Sequence, residues 1–175
     1  MRWLVPALSL LLVLGCKPTV PTGNGGSMTI EDADNGEVTI RTDDGSTIQT
    51  EKDGDKMTIT DGQGNVTATI GGEIDEAKLG VKIYPGAKQM EGGVTSTKDG
   101  VTSTVVTYQT GDSVAQVGEF YKKELAGAQS VAGTTNGDEM HSLTLEEPKR
   151  RVSLHISRAK ADAQTTILIT SEIKP

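Results

Sequence analysis

Cysteine is nearly absent from this sequence, which has Cys16 alone among its 175 residues. No disulfide can therefore form within the chain. A zinc site needs three or four grouped ligands, and the two histidines, His141 and His155, stand in no metal-like spacing. His155 alternates with apolar residues and is expected on the wet face of a strand, whereas His141 is expected at the rim of the core. We predict no metal and no other cofactor.

Aromatic and large aliphatic residues are also scarce. Four aromatic residues follow Cys16, namely Tyr84, Tyr108, Phe120 and Tyr121. Leu, Ile, Val and Phe supply 30 of the 160 residues from Cys16 onward, just below the proportion at which disorder becomes a serious alternative. The regular strand patterning described below instead predicts β structure with a thin core. Exposed aromatic platforms of the kind that bind sugars or bases are not expected.

Positive charge is in deficit, since 17 Lys and Arg stand against 24 Asp and Glu for a net charge of -7. Nucleic acid is therefore not an expected partner, because neutralisation of phosphates dominates that affinity. Residues 27–76 hold 13 acids and 3 bases, whereas residues 77–175 hold 11 acids and 12 bases. The densest basic point is Lys149, Arg150 and Arg151, at a predicted turn. It is a candidate contact with an anionic surface such as lipid headgroups, with a solvated turn as the alternative.

Catalytic motifs are lacking as well. No serine lies in a G-x-S-x-G elbow, and no glycine-rich phosphate loop with its lysine is present. Residues 32–36 partly resemble a calcium loop, but Gly36 comes one position early and Asp43 stands where the bidentate glutamate is needed. Turn geometry alone explains these Asp, Asn and Gly residues. We therefore predict that the protein is not an enzyme.

One long apolar run is present, over residues 3–14 and directly after Arg2. Its 12 residues are too few to span a bilayer, which takes about 20, but they suit the core of a signal peptide. The run ends at Val-Leu-Gly-Cys, residues 13–16, and a polar segment follows. This pattern resembles the lipobox of bacterial lipoproteins, in which the cysteine is diacylated and cleavage occurs in front of it. The resemblance implies a signal peptide over residues 1–15 and lipidation of Cys16.

The lipobox resemblance also implies a place in the bacterial cell envelope, where the acyl chains on Cys16 bind the lipid bilayer. Two or three such chains give durable anchoring. Lys17 is not the aspartate that retains enterobacterial lipoproteins at the inner membrane, so the resemblance implies the outer membrane, facing the periplasm. Residues 16–27 are predicted to be a flexible tether, since they are rich in Pro and Gly. The alternatives are an ordinary secretory signal and an uncleaved signal anchor.

A short unit repeats between residues 28 and 70. Its isoleucines recur every 8 to 11 positions, at Ile30, Ile40, Ile48, Ile59 and Ile70. They alternate with Thr and charged residues, as in strands with one wet face, and Asp-Gly or Asn-Gly pairs between the units predict type I′ hairpins. We predict an acidic antiparallel β-hairpin meander, with a small β-solenoid as the alternative. With so few apolar residues, the meander is expected to lie on the C-terminal domain or on a partner.

Residues 71–80 are predicted to be a linker and residues 81–175 an α+β domain. Its strands are predicted over residues 88–97, 101–110, 139–146, 150–158 and 164–172, and its helix over residues 113–126. Ser113 and Gln116 have the spacing of a capping box, and Gly118 indicates close approach of the helix to the sheet. The predicted fold class is therefore α+β, with an N-terminal antiparallel β-meander followed by a small domain that has one helix packed on an antiparallel sheet.

Two short motifs in this region stand out, Ile-Tyr-Pro-Gly-Ala at residues 83–87 and Phe-Tyr at residues 120–121. Together with the three Thr/Ile-rich strands they resemble a domain common in uncharacterised bacterial lipoproteins, over residues 80–175. The resemblance implies the fold and carries no activity.

We predict a membrane-anchored, non-enzymatic binding or scaffolding module for another envelope component, with an envelope protein as the expected partner, to which the meander would offer an edge strand or a flat face. The first alternative is a small-ligand-binding lipoprotein with a pocket between the helix and the sheet, lined by Tyr84, Tyr108 and Tyr121. The second alternative is a hydrolase, which replacement of His141 and His155 would test.

Overall fold

The computed structural model describes residues 19–21, 27–32, 36–90 and 92–175. Within these ranges the strands are β1 (Thr19–Pro21), β2 (Ser27–Asp32), β3 (Val38–Thr42), β4 (Thr47–Thr50), β5 (Lys56–Thr60), β6 (Val66–Gly71), β7 (Lys88–Gln89), β8 (Val94–Lys98), β9 (Val101–Thr110), β10 (Gln129–Thr135), β11 (Asp138–Glu147), β12 (Arg150–Arg158) and β13 (Thr165–Ile173). The helices are α1 (Glu76–Leu79) and α2 (Val114–Glu124). Neither helix of this described part combines the length and apolarity that a bilayer-spanning segment needs.

The strands of the described residues form one antiparallel sheet. Its order is β1-β2-β3-β4-β5-β6-β8-β9-β13-β12-β11-β10, and β7 pairs separately with β9. Neighbours from β1 to β6 follow the chain as hairpins. The pairing of β9 with β13 instead brings together strands that are distant in the sequence. It sets Ile167 opposite Tyr108 and Ile169 opposite Val106.

The predicted fold class is wrong, because the meander and the C-terminal strands are parts of the same sheet and the described residues form two short helices rather than one. The two parts join where β6 pairs with β8, with Ile70 opposite Val94 and Thr69 opposite Thr95. After β6 the chain leaves the sheet through residues 72–87 and forms α1. It returns as β7 beside β9 and then as β8 beside β6. Strand periodicity shows which residues are extended, whereas this pairing depends on contacts that no local pattern encodes.

The described part of the predicted tether also takes part in the sheet. Residues Thr19–Pro21 form β1 and pair with β2, with Val20 opposite Met28. The signal-peptide prediction for residues 1–15, together with Cys16 and Lys17, lies outside the described residues.

The hairpin turns differ from the predicted type I′ in the meander. Type I′ needs positive φ at both central residues, but Gly45 and Gly54 have φ of 84° and 73° while the preceding aspartates do not have positive φ. Asp44 instead accepts a hydrogen bond from the amide of Ser46, which fixes a wider turn closed by a glycine. Among the hairpin turns, positive φ at two successive residues is found instead at Asp99-Gly100 and Asn136-Gly137.

The core lies on one face of the sheet, where α1 packs on β9 and β13 and α2 packs on β11 and β12. From α2, Val117 and Tyr121 are fully buried, and Leu125 follows them at the helix end. The sheet contributes the alternating apolar residues of β9 and β11–β13, among them Val106, Leu143, Val152, Leu154, Ile156, Ile167 and Ile169. We call this side the helix face and the opposite side the open face. The core therefore sits under the C-terminal half of the chain.

Candidate functional site

A cleft of about 390 Å³ lies between α2 and the edge of the sheet formed by β10 and β11. Val114 and Ala115 of α2 and Ala132 of β10 form part of its apolar lining. Every residue of β10 is exposed, because α2 packs on β11 and β12 and leaves the last strand uncovered. The cleft is therefore the space that remains between a short helix and a wider sheet.

His141 lies in the wall of this cleft and is 4% exposed. Its Nε2 atom is 2.8 Å from Oγ of Ser130, on the neighbouring strand β10. Its Nδ1 atom faces Gly118 of α2 so closely that a Cβ there would lie 2.0 Å from it. The close approach of the helix that Gly118 indicates is thus confirmed, and the histidine ring is what occupies the space.

Burial lowers the pKa of His141 below its ordinary value of 6.5. The positive charge of Lys122 acts in the same direction, and the carboxylate of Glu119 opposes both. His141 is therefore a neutral imidazole at pH 7, able to donate a hydrogen bond from one ring nitrogen and to accept one at the other.

Charged groups from both walls surround the mouth of the cleft. Lys122 and Glu119 of α2 form an ion pair of 2.7 Å between Nζ and Oε1. From β11, Glu139 also lines the cleft and lies 3.6 Å from the guanidinium of Arg158. The cleft thus combines an apolar lining with paired charges and one neutral histidine.

The three tyrosines predicted to line a ligand pocket belong to the core and not to this cleft. Tyr108 and Tyr121 are 3% and 0% exposed. The amide of Tyr84 donates to Oη of Tyr121 at 3.2 Å, and Oη of Tyr84 donates to Asp112 at 2.7 Å. Burial raises the pKa of Tyr108 to about 12. Tyr108 and Tyr121 therefore lie in the interior between the helices and the sheet, and the half-buried Tyr84 packs against it.

The predicted anionic-surface contact lies at the turn between β11 and β12. Arg150 donates to the carbonyl of Gly80 at 2.6 Å and pairs with Glu147 at 3.1 Å. Arg151 pairs with Glu146 at 3.0 Å. Two of the three basic side chains therefore face carboxylates, and Arg150 ties this turn to the end of α1. The contact with an anionic surface stays a prediction.

The second histidine lies on the other side of the sheet. His155 is exposed on the open face, as expected, and its Nδ1 atom is 3.1 Å from Oγ of Ser142. His141 lies on the helix face, so the two imidazoles cannot serve one site. No group of three or more His, Cys, Asp or Glu side chains suited to a metal ion is found in the described ranges.

Sequence reasoning missed the strand that completes the cleft. The segment of β10, Gln-Ser-Val-Ala-Gly-Thr-Thr, has one large apolar residue and therefore shows no strand pattern. Because the strand was not predicted, Ser130 and Ala132 were not identified as residues beside the cleft. The available signal was Asn136-Gly137, the turn that joins β10 to β11.

The cleft lies inside a region of the chain that matches a known family model. No curated protein and no solved structure was found to match the chain. A family model described as START domain-like matches residues 88–166. That range runs from β7 to the start of β13 and contains α2, β10, β11 and every residue that lines the cleft. The match favours a ligand-binding domain.

Proposed function

We propose that the protein binds a small ligand in the cleft between α2 and the β10–β11 edge. The observation that carries the proposal is that the cleft lies entirely within the range of the START domain-like match. Its volume of about 390 Å³ falls within the range of about 300–1,000 Å³ that is usual for small-molecule sites. An apolar lining with a few convergent polar groups is also usual for such sites.

The chemistry of the walls supports one class of ligand, a small molecule with an apolar body and a single polar end. Val114, Ala115 and Ala132 offer contacts to the apolar body. The charged side chains at the mouth of the cleft already form ion pairs. An uncharged polar end, such as a hydroxyl or carbonyl group, therefore suits the cleft better than a charged one.

Filling the cleft tests this proposal. Ala132→Phe places a ring in the cleft, and Val131→Phe is the matched control because Val131 is 67% exposed and points to the open face. Native mass spectrometry of the purified protein, followed by titration of the ligand it identifies, is the measurement. We expect at least a tenfold loss of affinity with Ala132→Phe and none with Val131→Phe. Absence of any bound molecule, or equal binding by both variants, contradicts the proposal.

We also propose that the folded part is anchored at the bacterial envelope through acyl chains on Cys16, as a binding protein and not an enzyme. The lipobox resemblance of residues 13–16 supports the anchor. Metabolic labelling with an alkyne fatty acid in a bacterial host tests it, with Cys16→Ser as the control. Label and membrane association are expected for the native chain only, and a labelled Cys16→Ser chain contradicts the anchor.

A further inference from the structure

The open face of the meander bears a row of isoleucines. Strand pairing sets Ile30 opposite Ile40, Ile40 opposite Ile48 and Ile48 opposite Ile59, and Ala68 continues the row. Residues directly opposite each other in a sheet point to the same face. Ala68 belongs to the same face as Ile70, two residues further along β6. The predicted repeat therefore produces a continuous row across β2 to β6.

A second row lies alongside the first and extends it into the C-terminal half. Met57 pairs with Ile70, Ile70 with Val94, and Val94 with Val105. Ile70, Val94 and Val105 are 39%, 36% and 43% exposed, whereas Val106, the next residue, is 2% exposed under the helices. We call the two rows together the aliphatic stripe, which consists of Ile30, Ile40, Ile48, Met57, Ile59, Ala68, Ile70, Val94 and Val105.

The two halves of the sheet thus turn their apolar residues to opposite sides. On the helix face, the meander row that corresponds to the stripe is polar, with Thr39 opposite Gln49, Gln49 opposite Thr58 and Thr58 opposite Thr69. Both helices pack on strands of the C-terminal half and on the other face. Neither helix therefore covers the stripe.

Turns with a net negative charge border the stripe on both sides, although the second border also holds Lys52 and an ion pair of 2.6 Å between Lys56 and Glu51. The turns of residues 43–46 and 61–65 are adjacent at one border, where Gly45 and Gly62 nearly touch. Hydrogen bonds lower the pKa of Asp44, chiefly from Thr42, and that of Asp61, chiefly from Asn65, so both carboxylates are ionised at neutral pH. The described side chains of the stripe itself are uncharged.

The opposite border opens into a groove of about 640 Å³ at the ends of β5 and β6. Met57, Ile70 and Met90 give it an apolar floor, and the acidic residues Asp55 and Glu73 also line it. An apolar floor beside carboxylates suits the long alkyl stem and terminal ammonium of a lysine.

These observations decide between occupants. A second copy of the chain would bring acidic borders against acidic borders, since residues 27–76 hold 13 acids and 3 bases. An anionic lipid surface is disfavoured for the same reason. Strands of four to six residues at about 3.3 Å per residue leave about 13–20 Å between the borders. One helix, about 10–12 Å wide, fits in that space.

We propose that the aliphatic stripe docks an amphipathic helix of another protein, whose apolar side lies on the stripe and whose flanking Lys and Arg face the two acidic borders. From β2 to β9 the stripe crosses six strand spacings of about 4.8 Å, or about 29 Å. A helix of about 19 residues has that length at about 1.5 Å per residue. The inference deepens the predicted binding of an envelope protein and does not depend on the ligand cleft.

The first test measures binding of two synthetic peptides to the full-length chain carrying Cys16→Ser, by fluorescence anisotropy. One peptide is a 19-residue helix with a leucine stripe flanked by lysines, and the other has glutamate in place of each lysine. We expect the lysine peptide to bind at least tenfold more tightly and to lose affinity as salt is added. Equal binding of the two peptides overturns the proposal.

Variants then locate the binding surface. Ile48→Thr with Ile59→Thr should weaken binding of the lysine peptide at least tenfold, and Asp55→Asn with Glu73→Gln at least threefold. Thr39→Ser with Thr58→Ser, on the opposite face, is the matched control and should bind as the parent does. An unchanged affinity in the isoleucine variant overturns the proposal. The cleft variant Ala132→Phe should bind the peptide normally, so failure of the ligand proposal and of this one are distinguishable.

Methyl NMR on the unsubstituted stripe covers the case in which a variant fails to fold. The lysine peptide should shift the methyl signals of Ile48 and Ile59 and leave those of the buried Ile167 and Ile169 unchanged. Shifts confined to the helix face overturn the proposal. A concentration-dependent dimer in sedimentation velocity that the isoleucine variant abolishes also overturns the proposal, because a second copy of the chain then occupies the stripe.

Discussion

At Gly118 the helix α2 lies directly against a side chain of the sheet, since a Cβ there would lie 2.0 Å from Nδ1 of His141. Gly118→Ala should lower the free energy of unfolding by about 1–3 kcal/mol, because overpacking exceeds the gain of about 1 kcal/mol in helix propensity. Urea unfolding measures this. Gly111→Ala is the control, since nothing lies within 4 Å of a Cβ at Gly111. A second substitution, His141→Ala, should restore most of the loss. A Gly118→Ala protein as stable as the parent contradicts the close contact.

His141 should make stability depend on pH, because burial lowers its folded pKa below the ordinary value of 6.5. At pH values between the folded and the unfolded pKa of His141, the unfolded chain therefore binds more protons than the folded chain does. The contribution of His141 is complete above about pH 6.5 and is lost as the pH falls through the interval between the unfolded and folded pKa values, with a slope of at most about 1.4 kcal/mol per pH unit.

Comparison of unfolding at pH 8 and pH 5 checks this expectation. His141→Gln should lose less stability on acidification than the parent does, because no proton is taken up at this position. The exposed His155→Gln is the control and should follow the parent. An unchanged pH dependence in His141→Gln contradicts the assignment of a neutral, buried imidazole.

At the scale of elements, α2 depends on its cap. The hydroxyl of Ser113 accepts from the amide of Gln116 at 3.3 Å, and the side chain of Gln116 accepts from the amide of Ser113 at 3.0 Å. Ser113→Ala should cost about 1 kcal/mol in the urea-unfolding free energy, whereas Ser113→Asp keeps an acceptor and should stay near the parent. An equal loss in both variants would show that the cap oxygen is not what stabilises the helix.

Elements with strong local patterns were the ones that the sequence predicted well. The helix predicted over residues 113–126 is observed as Val114–Glu124, and the strand predicted over 101–110 as Val101–Thr110. The strand predicted over 88–97 is two strands, Lys88–Gln89 and Val94–Lys98. The helix α1 was missed because its four residues are too few to show a period.

These local patterns could not predict which strands pair or which face of the shared sheet the apolar residues of the meander take. The isoleucine repeat predicted strands with one apolar face, but periodicity does not say which side of a shared sheet that face takes. It takes the side opposite to the core because β6 pairs with β8 in the register that sets Ile70 against Val94. The cleft was missed for a similar reason, since it depends on where α2 stops covering a strand that has little pattern of its own.

At the scale of the whole molecule, the sheet should open unevenly. The strands β9 and β11–β13 are covered by helices, whereas β2 to β6 form a single layer. Hydrogen–deuterium exchange followed by mass spectrometry should therefore show slow exchange in β9, β12 and β13, and exchange at least tenfold faster in the meander. The edge strand β10 is the internal control, since it is paired on one side only and should exchange faster than β12. Uniform protection across the sheet contradicts this picture.

The order of strands puts β1 at one edge of the sheet and β10 at the other. Eleven strand spacings separate them, or about 53 Å along the sheet at about 4.8 Å each. The chain enters the described structure near Thr19, at the edge furthest from the cleft. Each hairpin of the meander contributes two strand spacings to the distance between Thr19 and the cleft. Deletion of one hairpin would therefore shorten that distance by about 10 Å without altering the helix-covered core.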